Sequence, residues 1–234
     1  MPSKAKAIGF AAGIVAALIW GGGAVVSRYL VLDRLDAIDL TFLRYAGCFP
    51  VAAAIALARP ERAQLGVGWW QTAVLILLAG PAYHMLLIYG YNFATAGAGA
   101  LLVSGLLPIF AMVITLAVAG LMPTHRAITG ALLVALGLVV FSNPPATSAD
   151  AAHATITTHG GVVFVIAALM WAILNELIRR WRVAPLRLTV ALGLWSPLFL
   201  PLYLVFRPAG GLDVAWNEIA LQVMFISAVS SATT

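Results

Sequence analysis

Charge is what this sequence has least of. Asp, Glu, Lys and Arg together make up 9% of its 234 residues, and hydrophobic residues make up 63%. A soluble domain carries about 25% charge and about 45–50% apolar residues. Surface-to-volume scaling leaves a chain of this size no way to hide so much apolar surface from water, so lipid is the missing solvent. Cysteine is almost absent as well. Cys48 stands alone in an apolar run, which excludes an intrachain disulfide and a cysteine metal site. No glycine-rich phosphate loop, ATP-binding motif or cluster of metal ligands is visible, so no cofactor and no metal is expected. The net charge is +5 and the pI is about 9.8, yet no basic stretch interleaves with aromatics, and a nucleic-acid partner is not expected.

Long apolar runs fill the chain instead. A helical span needs about 20 apolar residues to cross about 30 Å of hydrocarbon. Seven segments meet or approach that length: 8–30, 38–58, 70–93, 98–121, 128–141, 160–178 and 186–206. The fifth is short, with interfacial residues at 124–126 and Ser142 on its flanks. Lys4 and Lys6 ahead of the first run resemble a signal peptide. Six more spans follow, so an uncleaved first transmembrane helix is the reading. Residues 216–234 begin an eighth span, but its apolar part, 221–229, is too short to cross. The expectation is a chain cut short after about seven complete spans and part of an eighth. The longer polar stretch 142–159, rich in Ala, Thr, Ser and Pro, reads as a connector between two halves.

Lys and Arg placement gives the orientation. With the N-terminus in the cytoplasm, nine basic residues fall inside: Lys4, Lys6, Arg59, Arg62, Arg126, Arg179, Arg180, Arg182 and Arg187. Arg28, Arg34 and Arg207 fall outside, and Arg44 lies within the second span. That asymmetry favours an N-terminus in the cytoplasm of a multi-pass protein of a cell membrane, most simply a bacterial inner membrane.

The two halves share a pattern. Ala16-Ala17-Leu18-Ile19-Trp20 in the first span matches Ala167-Ala168-Leu169-Met170-Trp171 in the sixth, and Arg28 maps onto Arg179 at the same offset. Leu40-Thr41 and Leu188-Thr189 follow, with Pro50 and Pro197 further on. A unit of five spans has an odd number of crossings, so its second copy enters the membrane from the opposite side. Inverted repeats of this kind build secondary transporters, with the substrate site near the midplane. The alternative is a chance match in an Ala-rich chain.

Here the chain resembles EamA-type members of the drug/metabolite transporter superfamily. The residues that carry the likeness are Ala17-Leu18-Ile19-Trp20-Gly21, Phe42-Leu43-Arg44-Tyr45, Tyr91-Asn92-Phe93-Ala94-Thr95-Ala96-Gly97-Ala98, Leu107-Pro108-Ile109-Phe110 and Ala168-Leu169-Met170-Trp171-Ala172. Pro123-Thr124-His125-Arg126 stands where such proteins often carry an acid. The resemblance implies an all-α integral membrane protein with an inverted repeat of five-helix units, a ten-span fold. The first repeat would be 1–142, the linker 143–159 and an incomplete second repeat 160–234. It also implies secondary active export of small metabolites: amino acids, their derivatives or drug-like compounds.

Candidate site residues follow from polar and aromatic groups inside the spans. Trp20 and Ser27 lie seven residues apart, on one helical face. Gly21, Gly22 and Gly23 would allow close approach of a helix or substrate, as packing sites or as hinges. His84 and Tyr91 share a face of the third span. An intramembrane histidine suggests proton coupling, or a side chain that donates to a neighbouring carbonyl and fixes packing. Ser104 and Pro108 lie four apart in the fourth span, where Pro108 is expected to kink the helix, as a hinge or a static bend. Trp171 and Asn175 share a face of the sixth span, and Trp20 and Trp171 together would stack a planar or cationic substrate, unless they only pack. Arg44 reads as a structural charge with Asp39 as its partner, and Glu176 with Arg180 as a solvated salt bridge. The partners expected are a small-molecule substrate, the bilayer and a proton as coupling ion; monomer and homodimer stay open. Two other classes compete: a non-transporting membrane remnant or scaffold, and an intramembrane hydrolase using Ser104 with His84.

Overall fold

The computed structural model describes residues 4–33, 35–142 and 157–206. Among them every regular element is helical: α1 (Lys4–Asp33), α2 (Ala37–Ala58), α3 (Trp69–Ala79), α4 (Pro81–Gly90), α5 (Ala96–Ala119), α6 (His125–Ser142), α7 (Thr158–Trp181), α8 (Pro185–Trp195) and α9 (Phe199–Phe206). Hydrocarbon imposes this uniformity, because a spanning segment must satisfy its backbone polar groups internally. Six stretches are long and apolar enough to cross: Gly9–Leu32, Ala37–Ala58, Trp69–Gly90, Ala96–Val118, Thr158–Trp181 and Pro185–Phe206. The fifth expected span is a helix, but its apolar part, His125–Phe141, is shorter than the others. The expected eighth span lies outside the described residues.

Two spans are broken where one continuous helix was expected. In the third, α3 stops at Ala79 and α4 restarts at Pro81, with Gly80 between them. Proline has no N–H to continue the ladder, and its ring disfavours helical backbone in the residue before it. In the seventh, a 3₁₀ turn over Ser196–Leu198 separates α8 from α9. Pro50 and Pro108, by contrast, sit inside α2 and α5, and those helices continue through them.

Contacts at the helix ends fix the directions. The Arg28 guanidinium, near the end of α1, donates to the Tyr91 carbonyl at 2.7 Å and to the Ala94 carbonyl. The first residue before α7 meets the same loop, with Thr157 N–H donating to the Phe93 carbonyl at 3.2 Å. At the other end of α7, Trp181 packs edge-on against Trp70 at the start of α3, 5.4 Å between centroids. Helices α1 and α7 therefore run antiparallel. Helices α2 and α8 share a local device: Thr41 Oγ1 donates to the Ala37 carbonyl at 2.7 Å and Thr189 Oγ1 to the Pro185 carbonyl at 3.2 Å.

Helix α7 is the hub, packed most extensively on α5 and also on α3 and α4. Phe164 of α7 is fully buried. Its ring fills the space that side chains at Gly90 and Gly99 would take, and a Cβ at those positions would lie 2.8 and 2.5 Å from the ring. The second large interface joins α2 and α8. There Gly193 admits the α2 backbone, and an added Cβ would strike Ala52 and approach the Cys48 carbonyl to 3.1 Å. Close approach through small residues is how helices associate without a hydrophobic drive between them.

The glycines of α1 do not act this way. A Cβ at Gly21 or Gly23 would meet nothing within 4 Å. Among the described residues nothing lies where side chains at Gly21 and Gly23 would project, and nearby Leu18 is 71% exposed.

Overpacking a filled interface costs about 1–3 kcal/mol. Gly99→Ala should lower unfolding stability in detergent by that order, with Phe164→Leu in the same chain restoring part of the loss. Equal destabilisation by Gly97→Ala, which adds a Cβ to open space, would show that helix propensity and not Phe164 is being measured.

Candidate functional site

The break in the third span exposes carbonyls inside the membrane, and Tyr45 of α2 answers it. Its hydroxyl lies 3.1 Å from the Ala79 carbonyl and 2.7 Å from His84 Nδ1, and that nitrogen is 3.2 Å from the Gly80 carbonyl. One assignment satisfies all three contacts. Nδ1 carries the proton and donates to the Gly80 carbonyl and the phenol oxygen, and the Tyr45 O–H donates to the Ala79 carbonyl. The opposite tautomer would leave Nδ1 facing the Gly80 carbonyl lone pair to lone pair. His84 is thus a staple across the Gly80–Pro81 break. Tyr45 was missed as a site residue, although Arg44-Tyr45 was part of the motif already noticed.

An aromatic cluster spreads from this staple. Tyr83 is buried and packs on Trp171, 4.8 Å between ring centroids at 33°. Trp171 meets Trp20 edge-on at 5.5 Å and 72°. Trp20 and Trp171 therefore touch, near the middle of their spans. Trp20 is 48% exposed, so one face of the pair stays open. Below it, Tyr91 packs on Phe164 at 5.6 Å.

Other expected site residues are not gathered here. Ser27 is buried while Trp20 is open, so the pair does not line one surface. Asn175 and Ser104 are exposed and form no hydrogen bond through their side chains among the described residues. Ser104 and His84 do not meet, because His84 Nδ1 is held by Tyr45 and Gly80, so the nucleophile–base pair of a hydrolase is not assembled. Pro108 removes the N–H that would have bonded the Ser104 carbonyl, which leaves an acceptor on α5.

The charges also differ from expectation. Asp39 is fully buried and accepts from the Tyr203 hydroxyl at 3.0 Å and from the Asp36 backbone N–H at 3.2 Å. Tyr203 in turn stacks on Phe42 at 4.1 Å, so this acid ties α2 to α9. It does not pair with Arg44. Five residues apart on a helix is about 140° of rotation, which turns the two side chains away from each other. Arg44 Nε is buried with no hydrogen-bond partner among the described residues. Glu176 is buried rather than solvated, and it holds both Arg179 at 2.7 Å and Arg180 at 3.1 Å. Arg180 also reaches the Val118 carbonyl at 3.4 Å.

A small apolar cavity of about 190 Å³ lies between the two helix breaks, lined by Ile76, Pro81, Leu192, Trp195, Ser196, Leu198 and Phe199. Its one hydroxyl, Ser196, already donates to the Gly193 carbonyl at 2.6 Å. Such a cavity can absorb movement of the broken helices but offers no polar group to orient a substrate.

A hydrogen bond contributes about 0.5–1.5 kcal/mol, and an orphaned buried acceptor costs about 1–3 kcal/mol. Tyr45→Phe and His84→Ala should each destabilise the protein in detergent by about that much. Because they share one network, the double substitution should cost clearly less than the sum. Strict additivity would show that the two side chains act separately.

A family model describing the EamA-like transporter family matches residues 7–143, which run from α1 through α6. A search of curated proteins and a search of solved structures give no match. The match covers more than half of the chain, over the same helices that bring Trp20, Arg44, Tyr45, Tyr83, His84 and Tyr91 together. The chain is a multi-pass, all-helical membrane protein and belongs to the EamA-like transporter family, part of the drug/metabolite transporter superfamily.

Proposed function

We propose that this protein is a secondary active transporter that exports small metabolites, amino acids, their derivatives or drug-like compounds, by alternating access around a midplane cavity. The observation that carries the reading is the contact of Trp20 with Trp171. A tryptophan from the first span and one from the sixth meet near mid-span, 5.5 Å apart, backed by Tyr83. An aromatic pair contributed by two antiparallel spans is suited to stack an aromatic or amphipathic body, and the two spans can separate when the halves rock.

The inverted five-helix repeat is part of the proposal. It is supported by the antiparallel course of α1 and α7, by the matched threonine bonds in α2 and α8, and by broken helices beside the cluster, a feature of transporter cores. The cytoplasmic N-terminus, in a bacterial inner membrane, rests on the basic residues. The proton is proposed as the coupling ion, with His84 as the titratable group inside the third span. Uptake that keeps its pH dependence in His84→Ala protein would move the coupling elsewhere.

Purified protein in liposomes preloaded with unlabelled tryptophan or phenylalanine should accumulate the tritiated amino acid by counterflow. Trp20→Ala and Trp171→Ala should each reduce it by roughly tenfold, the scale of losing one stacked aromatic at about 1–1.5 kcal/mol. A well-folded protein that exchanges neither these nor any other small solute would favour the membrane scaffold instead. Orientation is tested separately. In a Cys48→Ser background, Gln64→Cys should label with an impermeant maleimide only from the cytoplasmic side, and Asn92→Cys only from the outer side. Labelling of both from one side would end the topology.

A further inference from the structure

Arg44 is a charged side chain inside the second span, next in the chain to Tyr45, which binds His84 of the cluster. It lies seven residues into α2, roughly 10 Å along the helix from its start. A cation at that depth is costly unless it is paired. Its Nε is shut off from solvent and no hydrogen bond reaches it among the described residues.

Among the described residues no acid forms an ion pair with it. Between Glu61 and Asp150 there is no Asp or Glu at all, so α3, α4, α5 and α6 carry none. Helices α8 and α9 carry none either. On α7, Glu176 is taken by Arg179 and Arg180. On α2, Asp39 serves Tyr203 and the helix start. Glu61 lies in the turn after α2, at the far end of that helix from Arg44.

What surrounds Arg44 is phenolic and aromatic. Its charge acts on Tyr45 and Cys48 of its own helix and on Tyr83, His84 and Tyr91 across the interface. Tyr83 is the ring that joins this neighbourhood to Trp171 and Trp20. Ring contacts thus run from Tyr45, next to Arg44 in the chain, through His84 and Tyr83 to the tryptophan pair.

We infer that Arg44 is the anion-binding group of the cavity, and that the transported solute is an organic carboxylate whose aromatic or apolar body lies against Trp20 and Trp171. A guanidinium presents a planar fork that matches a carboxylate with two parallel hydrogen bonds. In this low-dielectric place the incoming anion supplies the counter-charge that the chain omits. The same charge repels amines and other cations, so the tryptophan pair does not select a cationic drug. This rests on the transporter reading and narrows its substrate class.

The test uses three tritiated probes of similar aromatic body and different charge: hippurate, its neutral amide, and benzylamine. Counterflow is measured in phosphatidylcholine liposomes with the leak of protein-free liposomes subtracted. Wild-type protein should exchange hippurate at least roughly tenfold faster than benzylamine, with the amide between them. Arg44→Gln should lose roughly tenfold or more of the hippurate exchange, the scale of one charge-assisted hydrogen bond, and should narrow the preference over the amide. Arg44→Lys, which keeps the charge but not the fork, should retain part of it. The charge preference of the wild type needs no variant, so a misfolded Arg44→Gln protein leaves the inference open to refutation. Preference for benzylamine, or equal exchange of all three probes, would overturn the anion site while leaving a carrier. Hippurate exchange unchanged in a monodisperse Arg44→Gln protein would overturn it too. If that protein were instead less stable than wild type only in phosphatidylglycerol vesicles, Arg44 would be a lipid-phosphate contact. Exchange of no solute by the wild type, tryptophan and phenylalanine included, would bring down the transporter reading as well.

Discussion

A carbonyl left without a donor inside hydrocarbon costs several kcal/mol, and that constraint organises the middle of this protein. The third span breaks at Gly80–Pro81, so the Ala79 and Gly80 carbonyls lie where the helix ladder is interrupted. Tyr45 and His84 converge on them. The Arg28 guanidinium does the same for the Tyr91 and Ala94 carbonyls where α4 gives way to α5. At Gly80 the His84 ring adds to the backbone bond from the His84 N–H, 3.2 Å, that opens α4. A break so supported is worth its cost only if something is gained by having it there. What lies beside it is the aromatic lining of Tyr83, Trp171 and Trp20.

The packing divides along the same line. Around Phe164, α4, α5 and α7 come together through Gly90 and Gly99 with no room left, and α2 and α8 close on each other through Gly193. Along α1 around Trp20, by contrast, side chains are open and an added methyl at Gly21 or Gly23 meets nothing. A tightly keyed part and a loosely held helix can move relative to each other without breaking the interfaces that hold the fold.

Much of this was legible in the sequence, for reasons of unequal strength. Span positions followed from hydropathy, since lipid enforces both length and composition. The meeting of Trp20 with Trp171 came from the internal match alone, because a repeat carries spatial information that hydropathy lacks. The break at Gly80–Pro81 was visible as a Gly-Pro pair, but unbroken apolarity on either side masked it. Faces were the least legible. A helix that is apolar all round gives no moment from which to tell its packed side from its open side, so hydropathy alone does not say which face of α1 packs at Gly21 and Gly23. Asp39 was matched to Arg44 by proximity in sequence, when five residues along a helix carry two side chains to different faces. Tyr45 could have been found only by asking which donor would answer a broken third span.

Arg44 brings these threads together. Burying a cation is offset in most proteins by an acid placed within reach. Among the described residues, Asp39 is committed to Tyr203 and Glu176 to two arginines at the end of α7. A membrane protein whose long stretch from α3 to α6 contains no Asp or Glu has no internal means of neutralising a charge in that region. If Arg44 served the fold alone, a neutral hydrogen-bonding residue would do so at lower cost. A cation here makes sense where the missing charge arrives from outside and leaves again. An anion that neutralises Arg44 while bound also removes part of the penalty of having the cation there, so occupancy would favour the state in which the lining is closed. Binding would then be coupled to the arrangement of the lining through one half-buried charge.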